Sequence, residues 1–161
     1  MTNATSYSVF RGTTAGGEST TAIKTGQAVS PYADTGLANG VKFYYKVTAV
    51  SATSTSANSS EVNATTIPIV PGSLAAAPGN AQAVLSWTAS AGAATYNVKR
   101  STVSGSGYAT VSSPATNSYT NTGLINGTTY YYVVTAVNGA GETAISTQKF
   151  GHAASGSHSA V

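Results

Sequence analysis

The sequence predicts an all-β protein assembled from antiparallel β-sandwich modules, and three observations carry that prediction. Residues 35–50 and 122–137 are two copies of one segment, identical at 11 of 16 positions, which marks an internal repeat. Each copy opens on an Asn-Gly turn, Asn39-Gly40 and Asn126-Gly127, and continues as an alternating run, the period of two that a half-buried strand requires. Short runs of this kind recur at a spacing of roughly ten residues with turn formers between them, and no stretch has a helical period.

Residues 4–14 match residues 93–103, placing Tyr7 on Tyr96, Val9 on Val98 and Arg11 on Arg100, so the first module enters the shared pattern partway through. A Gly-containing turn at 15–18 leads to a short strand at 19–25 and another at 29–34, which runs into the first Asn-Gly turn. The long strand of this copy covers 41–51. Residues 51–60 read as a polar loop and 61–66 as a closing strand, which ends the first module at residue 66. Pro68 and Pro71 mark 67–72 as a linker. The second module, 73–150, opens with a strand at 73–77, a turn at Pro78-Gly79-Asn80, and a strand at 83–88 carrying the sole tryptophan, Trp87. The Tyr96 strand, a hairpin turn at Gly105-Ser106-Gly107, runs at 108–112 and 116–121, and the long tyrosine strand complete it. Trp87, Tyr96, Val98, Leu124, Tyr130, Tyr132, Val134 and Ala136 are expected inside, and residues 151–161, rich in Gly, Ser and Ala, are expected to be a disordered tail.

Charged residues make up 7% of the chain, and seven cations against four anions set up a weak field that allows a nucleic-acid partner but only weakly indicates one. Cysteine is absent, so neither disulfides nor a thiolate metal site can support the fold, and each sandwich stands on its apolar core. There is no run of eighteen apolar residues to enter a membrane. Met1-Thr2-Asn3-Ala4-Thr5 has neither a basic n-region nor an apolar h-region, so the chain as written is expected to be soluble and to carry no secretion signal.

Little in the sequence specifies a chemistry. The four acids, Glu18, Asp34, Glu61 and Glu142, show no close spacing of the kind that the paired carboxylates of glycoside hydrolysis need. No G-x-S-x-G elbow is present, and Gly105-Ser106-Gly107 precedes no helix and so cannot cradle a phosphate in the usual way. His152 and His158 are the side chains that titrate near neutrality. With Lys149 or a nearby Tyr they could act as acid, base and cation in phosphodiester or RNA cleavage, although a Gly/Ser/Ala tail provides no preorganisation. Two imidazoles without a third ligand define no metal site, and no cofactor is implied. The tyrosines Tyr44, Tyr45, Tyr130, Tyr131 and Tyr132 alternate across strands, so about half should leave an outer aromatic row able to stack on sugars or bases. Asn3, Asn58, Asn63 and Asn126 match the glycosylation acceptor, as composition alone would produce in so Asn- and Thr-rich a chain.

The second module resembles a fibronectin type III domain. Pro-Gly precedes the first strand, Trp87 stands on strand B, Tyr96 and Val98 on strand C, and Leu124-x-x-Gly127-Thr128-x-Tyr130-x-Tyr132-x-Val134-x-Ala136-Val137-Asn138 runs through strand F. The resemblance covers residues 70–148, with a partial copy over 4–66. It implies an immunoglobulin-like sandwich with a tyrosine corner made by Leu124 and Tyr130. Two departures stand out: the first module has no counterpart of 73–92, hence no strands A and B, and carries Phe43 where Tyr130 stands, and the second module ends irregularly, with residues 148–153 aligned on 61–66 and Lys149 in the place of a Val expected in the core. Tandem copies of this kind resemble accessory modules of secreted bacterial polysaccharide-degrading enzymes and surface proteins. That implies a non-catalytic spacer and interaction role, an extracellular setting, and a polysaccharide partner. The phosphodiesterase or ribonuclease reading, through His152, His158 and Lys149, is the alternative.

A module without strands A and B should leave the face carrying Tyr7, Val9, Tyr45, Val47 and Ala49 uncovered. Burial at about 25 cal/mol per Å² favours covering such a face. The expectation is therefore a twofold homodimer through the first module, with strand exchange as the competing arrangement and a disordered first module or an excised fragment as the alternative to both, since half a small domain has little core of its own.

Overall fold

The computed structural model describes residues 3–153, apart from the side chain of His152. It divides into two compact units, Met1–Thr66 and Ile67–Val161. Every regular element among the described residues is a β-strand, as expected.

The first unit is one antiparallel sheet built from β1 (Ser6–Gly12), β2 (Lys24–Gln27), β3 (Lys42–Val50) and β4 (Val62–Thr65), in the order β2-β1-β3-β4. The second unit has two sheets. One contains β5 (Gly72–Gly79), β6 (Gln82–Thr88) and β9 (Ser118–Thr122), in the order β5-β6-β9. The other contains β7 (Thr95–Ser101), β8 (Ala109–Ser112), β10 (Thr129–Asn138), β11 (Gly141–Glu142) and β12 (Lys149–His152), with β8, β7 and β10 in sequence and both β11 and β12 on the far edge of β10. The β8-β7-β10-β12 order repeats β2-β1-β3-β4. The register repeats too, since Val9 faces Val47 as Val98 faces Val134, and Tyr7 faces Ala49 as Tyr96 faces Ala136.

The core of the second unit lies between its two sheets. All eight residues expected inside are buried, and Leu74, Ala83 and Leu85 join them from β5 and β6. Trp87 meets Tyr96 edge to face, with ring centroids 5.3 Å apart and planes at 67°, a favourable quadrupole arrangement. The Tyr130 hydroxyl accepts a hydrogen bond from the Ile125 N–H at 3.2 Å, which is the expected tyrosine corner. The Asn126-Gly127 and Asn39-Gly40 reversals place Gly127 at φ 80° and Gly40 at φ 68°, where a Cβ would be strained.

The structure differs from the sequence reading in several places. The short strand expected at 19–25 lies instead at Lys24–Gln27. Residues 51–60 are not a free loop: the Ser56 and Ser59 hydroxyls accept from the N–H groups of Ala49 and Val47, at 2.9 and 3.1 Å, while their own N–H groups donate back to those residues' carbonyls. Thr143 and Ser146 do the same for Ala136 and Val134 in the second unit. In both, hydroxyls continue an edge ladder where no regular strand runs. Residues 29–34, expected as a strand, carry no ladder, because the described first unit holds no counterpart of β6 to pair with them. Residues 67–72 are more than a linker, since Pro68 and Pro71 are buried and β5 starts at Gly72. The boundary drawn at residue 150 falls too early: β12 continues through His152, and Ala153 is buried and accepts a hydrogen bond from the Gly127 N–H at 2.9 Å. The rest of the expected tail, 154–161, lies outside the described residues.

Candidate functional site

The repeat presents the same inner sheet face in both units, and the expectation that the first unit leaves its copy uncovered holds only in part: Val9 and Phe43 are buried, Tyr45, Val47 and Ala49 are half-buried, and only Tyr7 is exposed. In the second unit, β5, β6 and β9 lie on this face. In the first, residues 29–37 cross one side, and beside them opens a cleft of about 470 Å³ floored by Val9, Tyr45 and Val47 and walled by Tyr32, Leu37 and Ala64. Val47 also borders a smaller hollow of about 150 Å³ with Tyr7 and Val29, which are 41% and 70% exposed. Tyr7, Val9, Tyr45 and Val47 share this inner face because side chains alternate along β1 and β3.

A polar cluster sits at the end of this face. Arg11 donates to both carboxylate oxygens of Asp34, at 3.1 and 2.9 Å, the Tyr45 hydroxyl donates to Asp34 at 3.0 Å, and the guanidinium lies 5.3 Å from the centre of the Phe43 ring. Burial, reinforced by the Asp34 carboxylate, pushes the Tyr45 phenol up to about 12. The second unit repeats the cluster with an amide in place of the acid. Arg100 and the Tyr132 hydroxyl both donate to Asn121 Oδ1, at 3.0 and 3.1 Å, and Arg100 lies 5.0 Å from the centre of the Tyr130 ring. Burial pushes the Tyr132 phenol to about 12 as well. An amide cannot exchange a proton at neutral pH, so a cluster that accepts Asn or Asp at its centre is a packing device that satisfies polar groups under the sheet. Asp34 opposite Asn121 could have been read from the repeat, because both precede their Asn-Gly turns by five residues.

The remaining carboxylates are also held in place. Lys46 reaches Glu18 at 2.8 Å and Glu61 at 3.9 Å, and Glu61 accepts from the Gly16 N–H at 2.6 Å. The hydrogen bond from Lys46 holds Glu18 below the ordinary carboxylate range and raises Lys46 in return. Lys99 contacts Glu142 at 2.8 Å, and with the Thr135 hydroxyl it holds the Glu142 carboxyl down to about 2. The Lys99–Glu142 pair lies on the outer face of β10, with Lys99 opposite Val133 and Glu142 bonded to Thr135, and both Val133 and Thr135 are buried although alternation places them opposite the core. The sequence reading expected a solvated face there.

Lys149 is exposed, stands opposite Tyr132 on β12, and makes no ion pair among the described residues. The backbone of His152 stands opposite Thr129. His158 lies outside the described residues. Among those residues no group of three potential metal ligands occurs. Of the tyrosines, Tyr130 and Tyr132 are core, whereas half-buried Tyr131 stands opposite Phe150, which is 61% exposed, in the strand register of the outer edge.

The fibronectin type III domain family matches residues 70–151. Over 74 residues the chain is 39% identical to an amylopullulanase of Thermoanaerobacterium saccharolyticum, a match covering 45% of this chain and 6% of that protein. An amylopullulanase of Thermoanaerobacter thermohydrosulfuricus is 43% identical over 77 residues, 47% of this chain and 5% of that protein. The chain thus spans a small fraction of these relatives. Among solved structures, an Fn3-like protein from Clostridium thermocellum is 42% identical with a TM-score of 0.51, covering 53% of this chain and 93% of that one. A two-domain fibronectin type III segment of chicken tenascin covers 90% of this chain and 82% of its own, with 16% identity and a TM-score of 0.58, a likeness of fold alone.

Proposed function

Because this chain belongs to the fibronectin type III family, we propose that it is a non-catalytic spacer and interaction module of a secreted, carbohydrate-active protein. The observation that carries the proposal is the state of its acids. Each of the four acidic side chains accepts at least one hydrogen bond from a structural partner, Glu18 from Lys46 through Oε2 with its Oε1 buried and unpartnered, Glu61 from the Gly16 N–H, Asp34 from Arg11 and Tyr45, and Glu142 from Lys99 and Thr135. A general acid or base must be free to reach a substrate proton. The amylopullulanase relatives support the carbohydrate setting, and the hydroxyl-rich, charge-poor surface suits an extracellular one.

The test has two arms. Fluorogenic phosphodiesters and RNA, assayed with and without EDTA, are expected to show no turnover. Turnover that disappears in the His152→Ala/His158→Ala variant would replace this reading with hydrolysis. Sedimentation with insoluble starch, compared between the parent and Tyr131→Ser/Phe150→Ser, tells a spacer from a binder. Loss of binding in the variant would place the carbohydrate contact on the outer aromatic pair.

A further inference from the structure

The outer face of β1 and β3, on the side of the sheet away from Val9 and Val47, holds a polar cavity of about 360 Å³. Alternation puts Phe10 and Lys46 on this face, directly opposite each other in the register. The loop that brings Glu18 over them is fixed by close approach. A Cβ at Gly12 would meet the Gly17 carbonyl oxygen at 2.5 Å and the Glu18 nitrogen at 2.8 Å, so glycine is what lets this loop lie against the end of β1, and the Ser19 N–H donates to the Arg11 carbonyl at 3.1 Å. The Glu18 side chain, which lines the cavity, is only 5% exposed. Its Oε2 accepts from Lys46 at 2.8 Å, whereas Oε1 is buried and accepts from no group of the chain. A buried carboxylate oxygen without a donor costs free energy, so this one calls for a donor from outside the chain. Among the described residues, Glu18 alone of the four acids keeps such an oxygen. In the second unit Lys99 and Val133 take the places of Phe10 and Lys46, and Glu142 there bonds both Lys99 and Thr135.

The surrounding charges narrow the donor. Two carboxylates, Glu18 and Glu61, flank one ammonium, at 2.8 and 3.9 Å from Lys46 Nζ, so an anion is repelled, and a cation would have to displace Lys46 from between them. A neutral hydroxyl donor meets neither cost. Half-buried Phe10 offers an apolar wall, and Ser19, Thr20 and Asn58 offer side chains that both donate and accept. A neutral ring with hydroxyls on its edge and C–H groups on its face matches these features together. The volume lies near the lower end of the roughly 300–1,000 Å³ of ligand pockets, which suits a short saccharide rather than a long chain. We propose that this cavity is a saccharide subsite, in which a sugar hydroxyl donates to Glu18 Oε1, the ring lies against Phe10, and Ser19, Thr20 and Asn58 bond the neighbouring hydroxyls. Lys46 and the Gly16 N–H position the two carboxylates. The inference rests on the interaction-module reading above and gives it a site in the first unit, apart from Tyr131 and Phe150.

Maltohexaose, cellohexaose and xylohexaose are titrated separately into the full chain and followed by amide NMR, with calcium chloride in a parallel arm. With at least one of the sugars, saturable shifts are expected at residues 16–20, Lys46 and Asn58. Glu18→Gln replaces an ionised acceptor and should weaken binding by roughly tenfold or more, and Asn58→Ala should weaken it by about fivefold. Asn58 is exposed, so its variant keeps the test decisive if Glu18→Gln disturbs the cluster. Absence of saturable shifts with all three sugars, binding that both variants leave unchanged, or shifts produced by calcium and not by sugar would overturn the proposal. So would sugar-dependent shifts confined to β10 and β12, an outcome that keeps the carbohydrate-associated reading and moves its contact to the second unit. Failure of the interaction-module reading is distinct, since it shows as phosphodiester turnover rather than as a silent titration.

Discussion

Val47 and Val134 hold the same place in the repeat and face equivalent valines, Val9 and Val98, across equivalent strands. Val134 has no exposed surface, whereas Val47 is half-buried and floors an open cleft. The strand is the same and the neighbours are not. Burial, and with it most of the stabilisation available to an apolar side chain, belongs to the layer placed opposite rather than to the strand that bears the residue. The two units thus form an internal control in which one sheet is read with and without its cover.

Trp87→Ala should give the largest effect, because it removes the cover's main aromatic from contact with Tyr96. A loss of about 3–5 kcal/mol is expected, comparable with the whole stability of a small domain. Denaturant unfolding followed by circular dichroism should show the second unit's transition shifted or lost. A mild loss would mean that the cover is not what stabilises that sheet.

The hydroxyl ladders sharpen the comparison. Ser146→Ala strands the buried N–H of Val134 and should cost about 1–3 kcal/mol, whereas at the equivalent exposed place Ser59→Ala leaves the Val47 N–H to water and should cost about 0.5 kcal/mol or less. Equal costs would show that Val47 is as dry as Val134. Tyr132→Phe comes next. It deletes a buried hydroxyl bonded to Asn121 and should cost about 1 kcal/mol, with a smaller loss for Tyr45→Phe on the more exposed side.

The smallest effect is electrostatic. The Glu142 carboxyl is held at about 2 against an ordinary 4.5, so the folded chain keeps this charge where the unfolded chain takes up a proton. The stabilisation is therefore complete above pH 4.5 and is lost as pH falls toward 2. The Glu142 side chain is 37% exposed, so screening keeps the effect small. Melting temperatures across that window should fall less steeply for Glu142→Gln than for the parent. Parallel curves would remove Glu142 from the acid response.

The sheet, its turns and its core were legible because the signals are local: alternation, Asn-Gly turns and a tryptophan among small residues. The repeat made them legible twice. What the sequence hid depends on neighbours distant in the chain. Nothing local in 29–34 says that its partner strand has no counterpart in the described unit, and nothing in 51–60 says that Ser56 and Ser59 would be used as carbonyl substitutes. Val133 and Thr135 are buried on the wrong face for a simple alternation, beside a Lys99–Glu142 ion pair whose partners lie 43 residues apart in the chain. The candidate site was half legible: the alternation of β1 and β3 gave the inner face on which Val9 and Phe43 are buried and Tyr45 and Val47 half-buried, whereas the Arg11–Asp34–Tyr45 cluster needed the second copy to be read beside the first.

Residue-resolved amide exchange on the full chain tests the central claim most directly, because β3 and β10 carry nearly the same sequence in the same register. If the opposing layer determines stability, the amides of β10 at Val134 and Ala136 will exchange only on global unfolding of the second unit, and those of β3 at Val47 and Ala49 will exchange faster by roughly a hundredfold or more through local opening. Equal protection at the two sets of sites, in a monomer free of any partner, would contradict the account.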